Sequence, residues 1–239
     1  MIQNAGARGF SLVLLVCLLC LAAAPASAAL IVGLPPDGAS GNCVPFGCGY
    51  NGVYQQVYTH GLFATGPIII TGLDFYNTVF DNSAFYMNSG TWTFSLSTST
   101  ADWNTLSTNA ASNLGSGNTQ VFSGNLAQSW LFGNTLSITL STPFTYNPAN
   151  GNLLLNVAAS GVTSPGGDIY FDTNGLYVPN TFMSQLTYDA VDGWVVVGGY
   201  GLVTGFDYSS APSVPEPASF ALLAGGLFGL GLLRRRLRR

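Results

Sequence analysis

The chain has 239 residues, of which 48% are hydrophobic and only 7% are charged, and its formal net charge is −4. All six basic residues are arginines, at positions 8, 234, 235, 236, 238 and 239, so residues 29–214 carry nine aspartates and no lysine or arginine. Nucleic-acid binding depends on basic side chains that neutralise phosphates, which excludes nucleic acid as a partner of this central part. Adhesion of the same part to anionic lipid is excluded for the same reason.

Residues 1–28 have the pattern of a secretory signal peptide. Arg8 gives a positive start, residues 10–21 form an apolar core, and Ala26 and Ala28 frame a small-residue cleavage site. We expect cleavage after Ala28, and the two cysteines of the leader would leave with it. Both of these cysteines follow large apolar residues, which disfavours a lipidated cysteine.

Cys43 and Cys48 are the cysteines that remain after the leader. An even number of cysteines in an exported chain favours a disulfide, which here closes a small loop and stabilises it by roughly 2 kcal/mol. Zinc binding is the alternative, but the single histidine, His60, cannot complete a four-ligand site with two cysteines unless an aspartate joins.

Residues 29–211 are expected to form one domain between two targeting segments. The stretch 29–52 is rich in glycine and proline and is interpreted as an irregular lead-in. After it come short runs of β-branched and aromatic residues bounded by turn formers, which predict strands at 53–60, 68–76, 91–97, 120–126, 136–141, 152–158, 168–172, 186–188, 194–197 and 202–208.

Strict alternation in two of these runs predicts half-buried strands. Trp92, Phe94 and Leu96 share one face of the run 91–97, and apolar residues alternate with hydroxyl residues in the run 136–141 in the same way. This pattern suits antiparallel sheets with one solvated face. Residues 100–113 are expected to contain at most a short turn of helix. The predicted fold class is therefore all-β, a single jelly-roll-like β-sandwich.

One local echo stands out, because residues 71–75 read TGLDF and residues 204–208 read TGFDY. The echo fits two strands that pair with each other, and it also fits chance.

No residue pattern points to catalysis, so we expect a protein that is not an enzyme and needs no cofactor. A hydrolase would have to use His60 or a pair of aspartates, but the chain has no G-x-S-x-G turn and no glutamate before Glu216. Structural calcium is a weaker alternative, with Asp168 and Asp172 as the first candidates and Asp189 and Asp192 as a second pair.

Four tryptophans raise the alternative of a carbohydrate-binding module. Trp92 and Trp194 lie in apolar runs and are expected in the core. Trp103 and Trp130 lie in polar surroundings and are the candidates for stacking on a sugar ring.

The last 28 residues, 212–239, contain three ordered features. Pro215, Glu216 and Pro217 form a rigid, extended segment, because proline restricts itself and the residue before it. Residues 218–233 are uncharged and would rise about 24 Å as a helix, short of the roughly 30 Å hydrocarbon core. Arg234, Arg235, Arg236, Arg238 and Arg239 follow, and they predict a cytoplasmic C-terminus. An ordinary C-terminal membrane anchor is one interpretation.

The same three features resemble the tripartite sorting signal of PEP-CTERM proteins. The resemblance covers about a tenth of the chain and implies an exported protein of a Gram-negative bacterium. It also implies processing by the membrane protease exosortase and an association with exopolysaccharide and the biofilm matrix. On this interpretation the protein is held transiently in the inner membrane, cut near Pro215–Pro217, and delivered to the cell surface or the extracellular matrix.

Overall fold

The computed structural model describes residues 27–33, 41–63, 66–79, 89–126, 130–131, 135–163, 169–173, 183–189, 193, 195–199 and 201–211. These residues form thirteen strands: β1 Ser27–Val32, β2 Gly41–Asn42, β3 Gly52–Tyr58, β4 Ile68–Val79, β5 Thr91–Ser99, β6 Ser116–Gly124, β7 Trp130–Leu131, β8 Thr135–Tyr146, β9 Asn152–Ser160, β10 Tyr170–Asp172, β11 Met183–Asp189, β12 Val195–Gly198 and β13 Thr204–Ser210. Three short helical turns, His60–Leu62, Ala110–Asn113 and Pro148–Asn150, complete the described elements.

Two antiparallel sheets contain all of these strands. Sheet I has seven strands in the order β1-β13-β4-β10-β2, with β8 paired to β4 and β7 paired to β8. Sheet II has six strands in the order β12-β11-β3-β9-β5-β6. The all-β, sandwich-like prediction is therefore confirmed, and each predicted run contributes a strand.

Two sequence interpretations need correction in the lead-in and in the loops. The lead-in 29–52 is not irregular throughout, because β1 runs to Val32 along the whole of β13 and β2 pairs with β10. The strand β7, which the sequence did not predict, pairs with the start of β8. β2 and β7 have only two residues each, and β1 begins with the small residues Ser27, Ala28 and Ala29, so none of the three shows the alternation that identifies the other strands.

The core lies between the sheets and follows the predicted alternation. Trp92, Phe94 and Leu96 are fully buried, as are the alternating apolar residues of β8. Phe206 of β13 packs edge-on against Tyr58 of β3, with ring centroids 5.1 Å apart, so these two strands face each other across the core. Such burial of large apolar side chains is the main source of folding free energy.

The outer face of sheet II is not solvated along its whole length, contrary to the sequence interpretation. Residues 100–115 fold back over it and bury Val57, Leu154 and Leu186 against Leu106. Polar contacts fix this flap: the Gln55 amide donates to the Ala110 carbonyl at 2.9 Å, and the Asn113 amide donates to the Gln55 side-chain oxygen at 2.9 Å. Buried polar side chains on this face are thus hydrogen-bonded to the flap.

Phe46 joins the two sheets at one end of the domain. The disulfide between Cys43 and Cys48 closes the predicted loop, with Cα atoms 5.3 Å apart, and Phe46 at its tip is 3% exposed. Its ring lies 4.7 Å from that of Phe75 in sheet I and 5.7 Å from that of Trp92 in sheet II. The disulfide-closed loop therefore places an aromatic side chain in the core, where it contacts both sheets.

A buried hydrogen-bond network joins the sheets one layer further along. Gln56 of β3 donates to the Leu202 carbonyl at 2.8 Å and accepts from the Leu202 amide at 2.8 Å. The Tyr58 hydroxyl lies 2.8 Å from the Thr204 hydroxyl, which in turn donates to the Leu202 carbonyl. Burial raises the pKa of the Tyr54 and Tyr58 phenols, so both stay protonated and able to donate.

We expect Phe46→Ala to lower the free energy of unfolding by about 3–5 kcal/mol, because it removes a fully packed aromatic ring and leaves a cavity. The matched control is Phe122→Ala, the same change at a partly buried ring that packs against Phe94. Urea unfolding monitored by tryptophan fluorescence measures both. Equal losses in the two variants would show that Phe46 has no special role in joining the sheets.

Thr204→Val should cost about 1–3 kcal/mol, because it keeps the shape but leaves buried partners of the hydroxyl unsatisfied. Thr139→Val, at an exposed position of β8, is the control and should change stability by less than about 0.5 kcal/mol. A Thr204→Val protein as stable as the parent would mean that the network contributes nothing to stability.

Candidate functional site

The two ends of the domain leave the fold side by side. Ser27, the first described residue, pairs with Ser209 near the end of β13. Ala211, the last described residue, still donates its amide to the Pro67 carbonyl at 3.0 Å. Four residue steps separate Ala211 from Pro215, and they span at most about 14 Å. The segment that contains Glu216 therefore begins close to the folded domain.

The predicted leader cleavage site overlaps β1. Ala28 pairs with Tyr208, and Ser27 pairs with Ser209, in the ladder between β1 and β13. Cleavage after Ala28 would leave Ala29–Val32 in that ladder. Ala26 and the rest of the predicted signal peptide lie outside the described residues, so the leader itself stays a prediction.

The echoed sequences pair with each other. In the ladder between β4 and β13, Gly205 stands opposite Asp74 and Gly72 stands opposite Asp207, with Phe206 opposite Leu73 between them. A Cβ on Gly72 would come within 2.7 Å of an Asp207 carboxylate oxygen, and one on Gly205 would come within 2.5 Å of the Tyr76 hydroxyl. Each glycine thus leaves room for polar side chains of the neighbouring strand, and the repeated T-G-x-D pattern is self-complementary.

The ladder between β4 and β13 carries the main electrostatic feature on the outer face of the described sheet I, the carboxyl groups of Asp74 and Asp207. Partial burial raises the pKa of the Asp74 carboxyl, a hydrogen bond with Ser137 opposes that shift, and the charge of Asp207 adds to it. Partial burial and the two carboxylates raise the pKa of Tyr76 as well. In the described part of the domain, burial and the neighbouring carboxylate of Asp207 therefore disfavour the charged form of Asp74.

The tryptophans are distributed only partly as predicted. Trp92 is fully buried in the core, as expected. Trp103 lies in a turn of the flap and is only partly exposed, with its amide bonded to the Asp102 carboxylate at 2.8 Å. Trp130 belongs to β7, but its side chain lies outside the described residues, as does the whole of Trp194. Trp103 thus lies in the flap over sheet II, whereas the backbone of Trp130 belongs to sheet I.

The residues considered for metal or catalysis lie only in part within the described structure. Asp172 is 1% exposed in β10, whereas Asp168, Asp192 and the side chain of Asp189 lie outside the described residues. His60 is exposed, and its amide and its ring nitrogen Nδ1 both contact the Asn152 side-chain oxygen, at 2.9 and 3.0 Å. Within the described ranges, no three His, Cys, Asp or Glu side chains are grouped as a metal site would require.

Residues 212–239 lie outside the described residues, so the geometry of Pro215, Glu216, Pro217, the helix 218–233 and the five terminal arginines is not part of this structure. Among the helices that the structure describes, none is long and apolar enough to cross a membrane.

Comparison with known proteins decides the identity of the C-terminal segment. A family model described as the PEP-CTERM protein-sorting motif matches residues 213–238. The chain carries a PEP-CTERM sorting signal. This signal marks the protein as exported and implies exosortase as its processing partner. No curated protein and no solved structure matches the chain, so the β-domain of this PEP-CTERM protein has no identified relative in those comparisons.

Asp74→Asn should make the domain more stable at neutral pH. A raised pKa in the folded state means that the carboxyl contributes stability at low pH and that this contribution is lost as the pH rises through the folded-state pKa. The gain at pH 7 should stay below about 1 kcal/mol, because the group is half exposed and solvent screens it. Urea unfolding of parent and variant between pH 3 and pH 8 tests this, because that interval includes the pH at which carboxyl groups usually titrate.

The control for this series is Asp102→Asn in the flap. This change also removes one negative charge, but at a position outside the ladder between β4 and β13. If both variants show the same change of stability with pH, the effect belongs to net charge and not to the pair formed by Asp74 and Asp207.

Proposed function

We propose that this is a non-enzymatic protein of the cell surface or extracellular matrix, held by its C-terminal helix until exosortase cuts near Pro215–Pro217. After the cut it is released or transferred to a matrix that contains exopolysaccharide. The observation that carries the proposal is the sorting signal at residues 213–238, which follows directly on the last paired strand of a folded domain.

The position of the signal supports processing of a folded protein. Ala211 is still hydrogen-bonded to the domain, and Pro215 follows within about 14 Å. The segment after it is rigid and extended because of its prolines, which suits presentation of a peptide bond to a protease. A short apolar helix ending in arginines would hold the substrate at the membrane while the cut is made.

Mass spectrometry of the surface protein tests the cut. In a strain with exosortase, the mature protein should end upstream of residues 218–233, and in a strain without it the arginine-tailed form should accumulate. Glu216→Ala should also cause that accumulation in the competent strain, whereas the neighbouring change Ser213→Ala should not. A mature surface protein of the competent strain that keeps its arginines contradicts the proposal.

Carbohydrate binding within the matrix is the second candidate. Trp103 favours it, because this tryptophan stays partly exposed in a polar turn on the outer face of sheet II, whereas Trp92 belongs to the core. An exposed indole ring can stack on the apolar face of a sugar. The released protein should then bind an exopolysaccharide on a glycan array, and Trp103→Ala should abolish the signal. Binding that survives both Trp103→Ala and Trp130→Ala removes these residues from the proposal.

A further inference from the structure

The sandwich is closed along one flank and open along the other. On the closed flank, β6 of sheet II meets β8 of sheet I, and the Ser141 hydroxyl donates to the Val121 carbonyl at 2.9 Å. On the other flank, β1 ends sheet I and β12 ends sheet II. Because β13 faces β3 through Phe206 and Tyr58, these two outer strands lie on the same side of the molecule.

The open flank carries most of the exposed large apolar side chains of the described residues. Val196 and Val197 of β12 are 44% and 40% exposed, and Tyr188 on the neighbouring strand β11 is 40% exposed. Ile31 of β1 is 46% exposed. The fifth such residue, Leu114, lies in the flap, away from this flank.

Among the described residues, the edge strand β12 carries no charged side chain, no proline and no bulge. Natural edge strands are commonly guarded by charged side chains, prolines or bulges, because their free backbone groups pair readily with another strand. The residues of β12 read Val-Val-Val-Gly, and the register with β11 runs without a bulge. Within the described part of the chain, no strand pairs with its outer side.

We propose that β12 pairs with β12 of a second copy of the same chain, in antiparallel orientation around a two-fold axis. Charge is the first argument for this occupant. Residues 29–214 carry nine aspartates and no lysine or arginine, so most faces of two copies repel each other, whereas β12 is uncharged. At this strand edge, no charge of the strand itself opposes the approach of a second acidic copy.

Geometry and area give the second argument. A two-fold axis that passes through the strand edge at right angles to the sheet places one valine opposite its own copy. The two copies of sheet II then form one continuous sheet, with Val197 and Tyr188 on its outer face. Every ladder of this domain is already antiparallel. A four-residue ladder buries less than the roughly 1,200 Å² of a standard interface, so the dimer is weak and depends on concentration.

A disulfide cross-link tests the pairing on the full exported chain solubilised in detergent. Val196→Cys and Val197→Cys are oxidised separately and run on non-reducing gels. The residue nearest the two-fold axis should give a covalent dimer, because directly opposite residues lie about 4.5–5.5 Å apart. Leu114→Cys is the matched control, since it also replaces an exposed apolar residue and retains all native cysteines.

Dimer yields no higher than that of Leu114→Cys would overturn the pairing. Cross-linking of the new cysteines to a different protein in cells would show that β12 binds another chain, and the proposal would be wrong. Sedimentation supplies a second measurement: Val197→Lys should abolish the concentration-dependent dimer, whereas Leu114→Lys should retain it. Loss of the dimer from Ile31→Lys alone would move the interface to β1 and contradict the assignment to β12.

Discussion

The insertion of β13 between β1 and β4 is the constraint on which the rest of the domain depends. β13 is the last strand of the chain before the sorting signal, yet it pairs with six residues of the first strand and seven of β4. It also supplies Phe206 to the core and Thr204 to the network that joins the sheets. Sheet I therefore cannot close until the last residues of the body are available, because β1 has no other partner among the described strands.

This topology links folding to export. A chain that crosses a membrane from its N-terminus delivers β1 first and β13 last, so the body passes through before its first sheet can be completed. Such long-range pairing folds slowly, since the closure of long loops must precede the contacts that reward it. The sorting signal begins within a few residues of β13, so every described strand precedes it in the chain.

Two different interactions hold the sheets together at successive levels. Near the disulfide, Phe46 fills the space between Phe75 and Trp92 without any polar contact to the sheets from its ring. Further along, the Gln56 amide donates to the Thr204 hydroxyl, and both side chains donate to the Leu202 carbonyl. The packing of the Phe46 ring contributes stability that does not depend on how the two sheets are aligned. The polar network, in contrast, is satisfied in only one arrangement of the two sheets.

How much of this could be read from the sequence depended on the kind of side chain involved. Bulky alternating residues such as Trp92, Phe94 and Leu96 identified strands and the core correctly, because period-two burial needs no knowledge of partners. The small residues of β1 looked like the end of a leader. The contact between the polar residues Gln55 and Asn113 was not predicted, because only the fold brings them together under the flap. The echo T-G-x-D was visible in the sequence, but its meaning required the register that sets each glycine opposite an aspartate.

The same register explains how an entirely acidic domain accommodates its charge. Residues 29–214 contain no lysine or arginine, so ion pairs of aspartate with lysine or arginine within this stretch cannot offset the repulsion among its nine aspartates. Hydrogen bonds and solvent exposure have to do so instead, as with Ser137 beside Asp74 and the exposed position of Asp207. Added salt then screens repulsion without weakening any attractive pair, so stability should rise with ionic strength. Self-repulsion also opposes the approach of such copies, and it is weaker at uncharged surfaces, of which the edge strand β12 is one in the described domain.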